Sequence, residues 1–260
     1  SSIDDIKKLI TGDSVTEFIL DYERNHGRAA SYSMDVCVRS FLRFCHFFEY
    51  LDNDYSPLIP TVRRWQLSHI PKAVEEAHIQ QLLDSINGTS AIDLRDKALI
   101  TLLVIYGVRG AQVRRLCLND LDWDKEVIHF PAVKGGRKLD QLMTAEAGNC
   151  LSSYLQNGRP ESSEQEVFLT HRYSVHPLDD PRLLSGIIRR RFKRAGIQQA
   201  EKTSYGSHGF RHAFGKRMVG NIPFHELSEL LGHKSPSSTY IYSKVAFSLH
   251  REAAMPWPEV

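Results

Sequence analysis

Paired cysteines, long apolar runs and clustered acids are what this sequence has least of. Its four cysteines, Cys37, Cys45, Cys117 and Cys150, stand far apart with no CxxC pair, which argues against a zinc knuckle or a disulfide framework and leaves buried thiols as the expectation. No apolar run approaches the roughly 18 to 20 residues that span a bilayer. The opening residues, SSIDDIKK, lack the regions of a signal peptide, so a cytoplasmic protein without membrane contact is expected, nucleoid-associated if bacterial. There is no P-loop and no acidic metal cluster. The net charge of +2 over 260 residues is too small to declare a nucleic-acid partner by its sum.

What is present is unevenly distributed. Between Arg182 and Arg217 there are ten Lys or Arg against the single acid Glu201, including the run Arg189, Arg190, Arg191, Lys193, Arg194. A helix over Pro181 to Ala195, with Leu184, Ile187, Ile188 and Phe192 inward, would turn that run outward, either toward a phosphate backbone or simply toward solvent. With 42% hydrophobic residues the chain can bury one large core or two modest ones.

Residues 1–58 read as a small N-terminal helical domain. Ser14 and Glu17 form a capping-box pattern ahead of Val15, Phe18, Ile19 and Tyr22, and Gly27 is placed to end that helix. A second helix from Ser33 to Leu51 turns Val38, Phe41, Leu42, Cys45 and Phe48 to one side. At helical spacing the aromatic group Phe41, Phe44, Phe47, Phe48 and Tyr50 is expected in the core. Residues 59–73 form a proline-bearing linker whose Arg63, Arg64 and Lys72 are candidates for contact with a phosphate backbone.

Residues 74–245 read as a larger, mostly helical domain. Helices are expected over Val74 to Ile86 and Ile92 to Tyr106, followed by three short strands, Leu121 to Trp123, Glu126 to Val133 and Lys138 to Met143, in a small antiparallel sheet. The fold class is therefore mainly α with a three-stranded antiparallel sheet in the larger domain. Residues 246–260 are a tail whose Phe247, Leu249, Met255 and Trp257 suit either a subunit contact or folding back. His171 and His176 sit in a loop and receive no role.

The candidate chemistry is spread along this domain. Arg109 follows the Gly107 stop of a buried helix, which suits a guanidinium that must present a planar fork to a phosphate. Gly135-Gly136 permits a tight hairpin with Lys134 at its tip. In SHGFRHAF, His208 and Arg211 share a helix face. His208 and His212, four apart, lack the glutamate and third ligand of a metal site, so no metal and no cofactor is expected. His233 follows Gly232 on an exit turn, and Tyr240 and Tyr242 lie beyond, on a last helix that Ser237 could cap.

Together these residues resemble the tyrosine recombinase (phage integrase) family. GVR with Arg109, the hairpin with Lys134, HGFR with His208 and Arg211, LLGH with His233 and a tyrosine nine residues further, Tyr242, occur in the family's order. Gln112 stands where relatives commonly carry glutamate. The resemblance implies a catalytic domain and a core-binding domain clamping double-stranded DNA. It further implies Tyr242 as nucleophile, His208 as proton acceptor, Lys134 as acid, and a homo-tetramer on two DNA sites that works through a 3′-phosphotyrosine without metal or ATP, with any accessory proteins unspecified. A type IB topoisomerase-like enzyme and a non-cleaving DNA-binding protein are the alternatives.

Overall fold

In the computed structural model, residues 7–60, 73–133, 136–171, 174–198, 205–233 and 239–242 are described, without the side chains at 27–32 and 241. Lys134, Arg63, Arg64, Lys72, Ser237 and the 246–260 tail therefore lie outside the described residues. The chain divides into two compact units, Ser1–Trp65 and Gln66–Val260. Among the described residues no helix is long and apolar enough to cross a membrane.

In the first unit, helical residues run from Gly12 to Phe47, here α1. The cap is Thr11 rather than Ser14: the Thr11 hydroxyl accepts the Ser14 N–H, and the Ser14 hydroxyl accepts the Thr11 N–H in return. A straight helix of 36 residues would be about 54 Å long. Yet Val15 and Phe18 line the same apolar hollow as Val38, Phe41 and Leu42, and Lys7 meets Asp52 at 2.5 Å. The chain thus doubles back within α1, and helical backbone is assigned on both sides of Gly27. The core is Val15, Ile19, Leu42, Cys45, Leu51 and Ile59.

Of the aromatic group only Tyr50 packs against that core; the four phenylalanines do not. Phe41, Phe44, Phe47 and Phe48 are all more than half exposed. Two helical halves bury one stripe each, and residues on the flanks of a stripe keep their spacing without gaining a cover. Of the four cysteines, all free, Cys45 is buried but Cys37 is exposed, so the expectation of buried thiols fails at Cys37.

The second unit is built around α3 (Ala91–Tyr106), which follows α2 (Glu76–Ser85). Leu99, Ile100, Leu102 and Leu103 have no exposed surface, because α3 is apolar on nearly all sides and is wrapped by its neighbours. Each fully buried side chain of this kind is worth about 1.5–3 kcal/mol. Ser90 caps the start by accepting the Asp93 N–H. Gly107 ends it in the left-handed region at φ 57°, where a Cβ would also stand 2.6 Å from the Phe214 ring.

After a short α4 (Gly110–Arg114) come β1 (Leu121–Asp122), β2 (Val127–Phe130) and β3 (Leu139–Leu142), an antiparallel sheet in the order β1-β2-β3. Leu121 pairs with Ile128 and Phe130 with Leu139. Then follow α5 (Ala145–Asn157), α6 (Pro181–Arg194), α7 (Ser207–Met218) and α8 (Phe224–Leu230). The fold is mainly α with one small antiparallel sheet.

Arg191 departs from the outward-facing run. It is 5% exposed and joins Asp93 at 2.7 Å and Asp96 at 2.7 Å. Arg95 in turn grips Asp96 at 2.6 Å and the Leu169 carbonyl. Two arginines and two aspartates cancel one another here and pin α6 to α3. Arg189 and Arg190 are exposed as expected.

Candidate active site

The site grows from the C-terminal end of α3. Past Gly107 the chain turns, and Arg109 becomes the first residue before α4. Its backbone N–H donates to Gln112 Oε1 at 3.0 Å, while Gln112 Nε2 donates to the Pro131 carbonyl at 3.2 Å. Gln112, 1% exposed, therefore ties the arginine turn to the strand leading into the hairpin. The Arg109 guanidinium reaches the Gly232 carbonyl at 3.4 Å. A Cβ on Gly136 would stand 3.4 Å from Arg109 Nη1, so the hairpin passes beside this guanidinium.

Arg211, on α7, is held from two sides. Nη1 donates to the Gly107 carbonyl at 2.9 Å and Nη2 to the Leu231 carbonyl at 2.7 Å. These bonds use two of its five N–H donors. Burial, with Arg109 close by, lowers its pKa to about 10, so it stays charged at neutral pH. Two cations, each fixed by backbone carbonyls, face one neighbourhood.

Tyr242 closes the arrangement. It sits on a single 3-10 turn, Tyr240–Tyr242, with only 1% of its surface exposed, whereas Tyr240 is 54% exposed. Its hydroxyl is 3.0 Å from His212 Nδ1. Its ring packs against Gly215, where a Cβ would overlap it, 2.5 Å from Cζ. Burial raises the phenol's pKa, while Arg211 and Arg109 pull it back. His233 Nδ1 meets the Thr239 hydroxyl at 2.8 Å, and the Tyr242 N–H donates to the Thr239 carbonyl. The turn carrying Tyr242 is thus fastened to the turn carrying His233. Burial and the two arginines keep His233 neutral, with a pKa of about 4.

His208 is exposed on the first turn of α7 and close enough to help depress the His212 pKa, which burial lowers to about 4. The imidazole touching the phenol is nevertheless His212. Sequence reasoning weighed His212 only as a metal ligand. The available signal was its spacing: His208, His212 and Gly215 recur at three and four residues along one face of α7. Among the described residues no three His, Cys, Asp or Glu gather as a metal site.

A mainly helical unit with one small three-stranded sheet, carrying its two arginines and its tyrosine as above, has the architecture of a tyrosine recombinase catalytic domain. The phage integrase family model matches residues 72–248, and the chain belongs to that family. It is 32% identical over 245 residues to "Putative integrase/recombinase y4rA" of Sinorhizobium fredii, covering 94% of this chain and 59% of that relative. The chain thus spans under two thirds of that relative's length. It is 28% identical over 237 residues to tyrosine recombinase XerD of Haemophilus ducreyi, covering 86% of this chain and 74% of the relative. The crystal structure of the XerH site-specific recombinase bound to palindromic difH substrate shares the fold, with a TM-score of 0.75 at 19% identity, covering 97% of this chain and 74% of that one.

Proposed function

We propose that this chain is a site-specific DNA recombinase in which Tyr242 attacks a backbone phosphate. The carrying observation is the convergence of one tyrosine with two carbonyl-anchored arginines, Arg109 and Arg211, in a chain of this family. The phenol oxygen bonds to phosphorus and the 5′-oxygen departs, leaving a 3′-phosphotyrosine. Arg109 and Arg211 stabilise the charge on the non-bridging oxygens. His233 donates a further hydrogen bond, and Lys134 on the hairpin supplies the proton to the leaving oxygen. A 5′-hydroxyl from a partner strand reverses the step, so neither metal nor ATP is consumed, and a tetramer on two DNA sites brings the partner strand.

In this reading the structure is a resting state. A phenol with 1% of its surface exposed is covered from a phosphate, so the 239–242 turn has to move outward before attack. His212 holds the phenol at rest. Once it leaves, the exposed His208 is the base that accepts its proton. The N-terminal domain, residues 1–58, also binds the duplex in this reading, and Arg63, Arg64, Lys72, Arg189 and Arg190 meet its backbone.

The test is covalent trapping on nicked duplexes drawn from a library. Tyr242→Phe is expected to abolish the adduct and Tyr240→Phe to leave it; the reverse result overturns the choice of nucleophile. Supercoil relaxation without recombinant joints at any concentration would instead identify a topoisomerase-like enzyme.

A further inference from the structure

A cleft of about 470 Å³ opens between the start of α3, the 170–178 loop and α6. It belongs to the second unit but not to the site above. Asp96 on its floor and Gly107 at the catalytic turn are eleven residues apart on α3, about 16 Å by helix rise. Its walls include Thr170, His171, His176, Arg182, Arg190 and Arg194.

The electrostatics of this cleft do not balance. On the floor, Arg95 and Arg191 are spent on Asp93 and Asp96. At the mouth, Arg182 is paired with Asp180 at 2.8 Å. Arg190 and Arg194, four apart on the exposed face of α6, have no acidic partner within ion-pair distance among the described residues. Two guanidiniums are therefore left facing a polar cleft whose other charges already cancel. Gly186 makes room for one of them: a Cβ there would stand 3.3 Å from Arg190 Nη1.

The loop wall adds neutral donors. The Tyr154 hydroxyl stands 3.4 Å from His171 Nε2. Burial keeps that ring neutral, with a pKa of about 4. When the hydroxyl donates to Nε2, His171 carries its hydrogen on Nδ1. His176 Nδ1 donates to the Pro177 carbonyl at 2.8 Å, so its N–H is already spent and the free donor of this wall is His171. Two planar guanidiniums beside an imidazole N–H form a donor set shaped for tetrahedral oxyanions.

We infer that this cleft is a second phosphate-binding site, in which Arg190 and Arg194 grip a phosphate group of a polyanion beside the start of α3, away from the catalytic turn at its other end. The occupant is either a backbone phosphate of duplex DNA or a free nucleotide, since both present the same oxyanion. With duplex DNA as occupant the inference rests on the proposed recombinase reading, in which Arg190 already meets the backbone, and extends that contact to a built site with Arg194; oxyanion binding itself needs no cleavage.

The test uses the full chain and inorganic pyrophosphate, followed by titration calorimetry. Wild type is expected to bind. Arg190→Gln with Arg194→Gln is expected to weaken binding by about tenfold or more per guanidinium removed. Lys97→Gln with Lys216→Gln, which removes the same charge elsewhere on the second unit at residues that do not line the cleft, is expected to stay within about twofold of wild type, well below that loss. No binding by wild type, or equal loss in the Lys97/Lys216 control, overturns the site. Displacement of pyrophosphate by a short duplex in wild type identifies a backbone phosphate as occupant, and simultaneous binding identifies a free nucleotide. Covalent trapping on the same samples is read separately: adducts without pyrophosphate binding sink only this site, and pyrophosphate binding without adducts sinks only the recombinase.

Discussion

Replacing Gly215 with alanine should release Tyr242, the proposed nucleophile. The Tyr242 ring lies where the new methyl group would go, 2.5 Å from Cζ. An aromatic side chain buries about 150–250 Å², worth about 4–6 kcal/mol at 25 cal/mol per Å², and the contact with His212 adds about 1 kcal/mol. The outward position is therefore rare until DNA or a neighbour supports it. An extra methyl in a packed site costs about 1–3 kcal/mol. That cost falls on the resting position alone, because an outward ring no longer meets the methyl. In the outward form alanine is even favoured by about 1 kcal/mol, through its helix propensity within α7.

The population of released phenol should then rise by about 5- to 150-fold for those 1–3 kcal/mol. Adduct formation on a nicked duplex, followed in single turnover, should accelerate in proportion until release ceases to limit it. Thermal stability should fall only slightly, since the helix gain offsets part of the overlap. A Gly215→Ala protein that keeps its thermal midpoint yet forms adduct more slowly would refute the reasoning. It would mean that the slot on Gly215 is itself the position from which Tyr242 attacks.

Two other outcomes follow from buried groups. Arg191→Ala leaves Asp93 and the shared Asp96 under-compensated; breaking a buried pair from one side costs about 3–5 kcal/mol, to be read as a lower urea midpoint with an unchanged slope. Acid should destabilise the second unit. Burial holds His171, His212 and His233 near a pKa of about 4, below the ordinary 6.5, so the unfolded chain takes up protons first. Stability is intact above pH 6.5 and lost as pH falls from there toward 4, which urea titrations at a series of pH values check. A midpoint that does not move across that window would contradict the buried, neutral state of these rings.

Much of the framework was legible in the residues. Periodicity and stop signals placed α3 over Ile92 to Tyr106 ahead of the Gly107 stop, α6 over Pro181 to Ala195, and three strands around two turns, because a helix face and a left-handed glycine are local events. The order of the GVR, HGFR and LLGH motifs and of Tyr242 was likewise readable, since it is a property of the chain.

What covers a face is not local. Arg191 sits in a run of five basic residues, and nothing in that run distinguishes it from Arg190; only the approach of Asp93 and Asp96 from α3, nearly a hundred residues earlier, takes it inside. Phe41 and Phe44 share the spacing of core residues and are left exposed, because a folded-back helix has too few partners to cover them. His212 rather than His208 meets the phenol because Gly215 lets the Tyr242 ring pack one turn further along α7. The sequence by itself determined which groups this protein has and in what order. The tertiary structure decided which of them are spent on each other and which still face outward, because burial and pairing depend on distances between segments that local sequence does not encode.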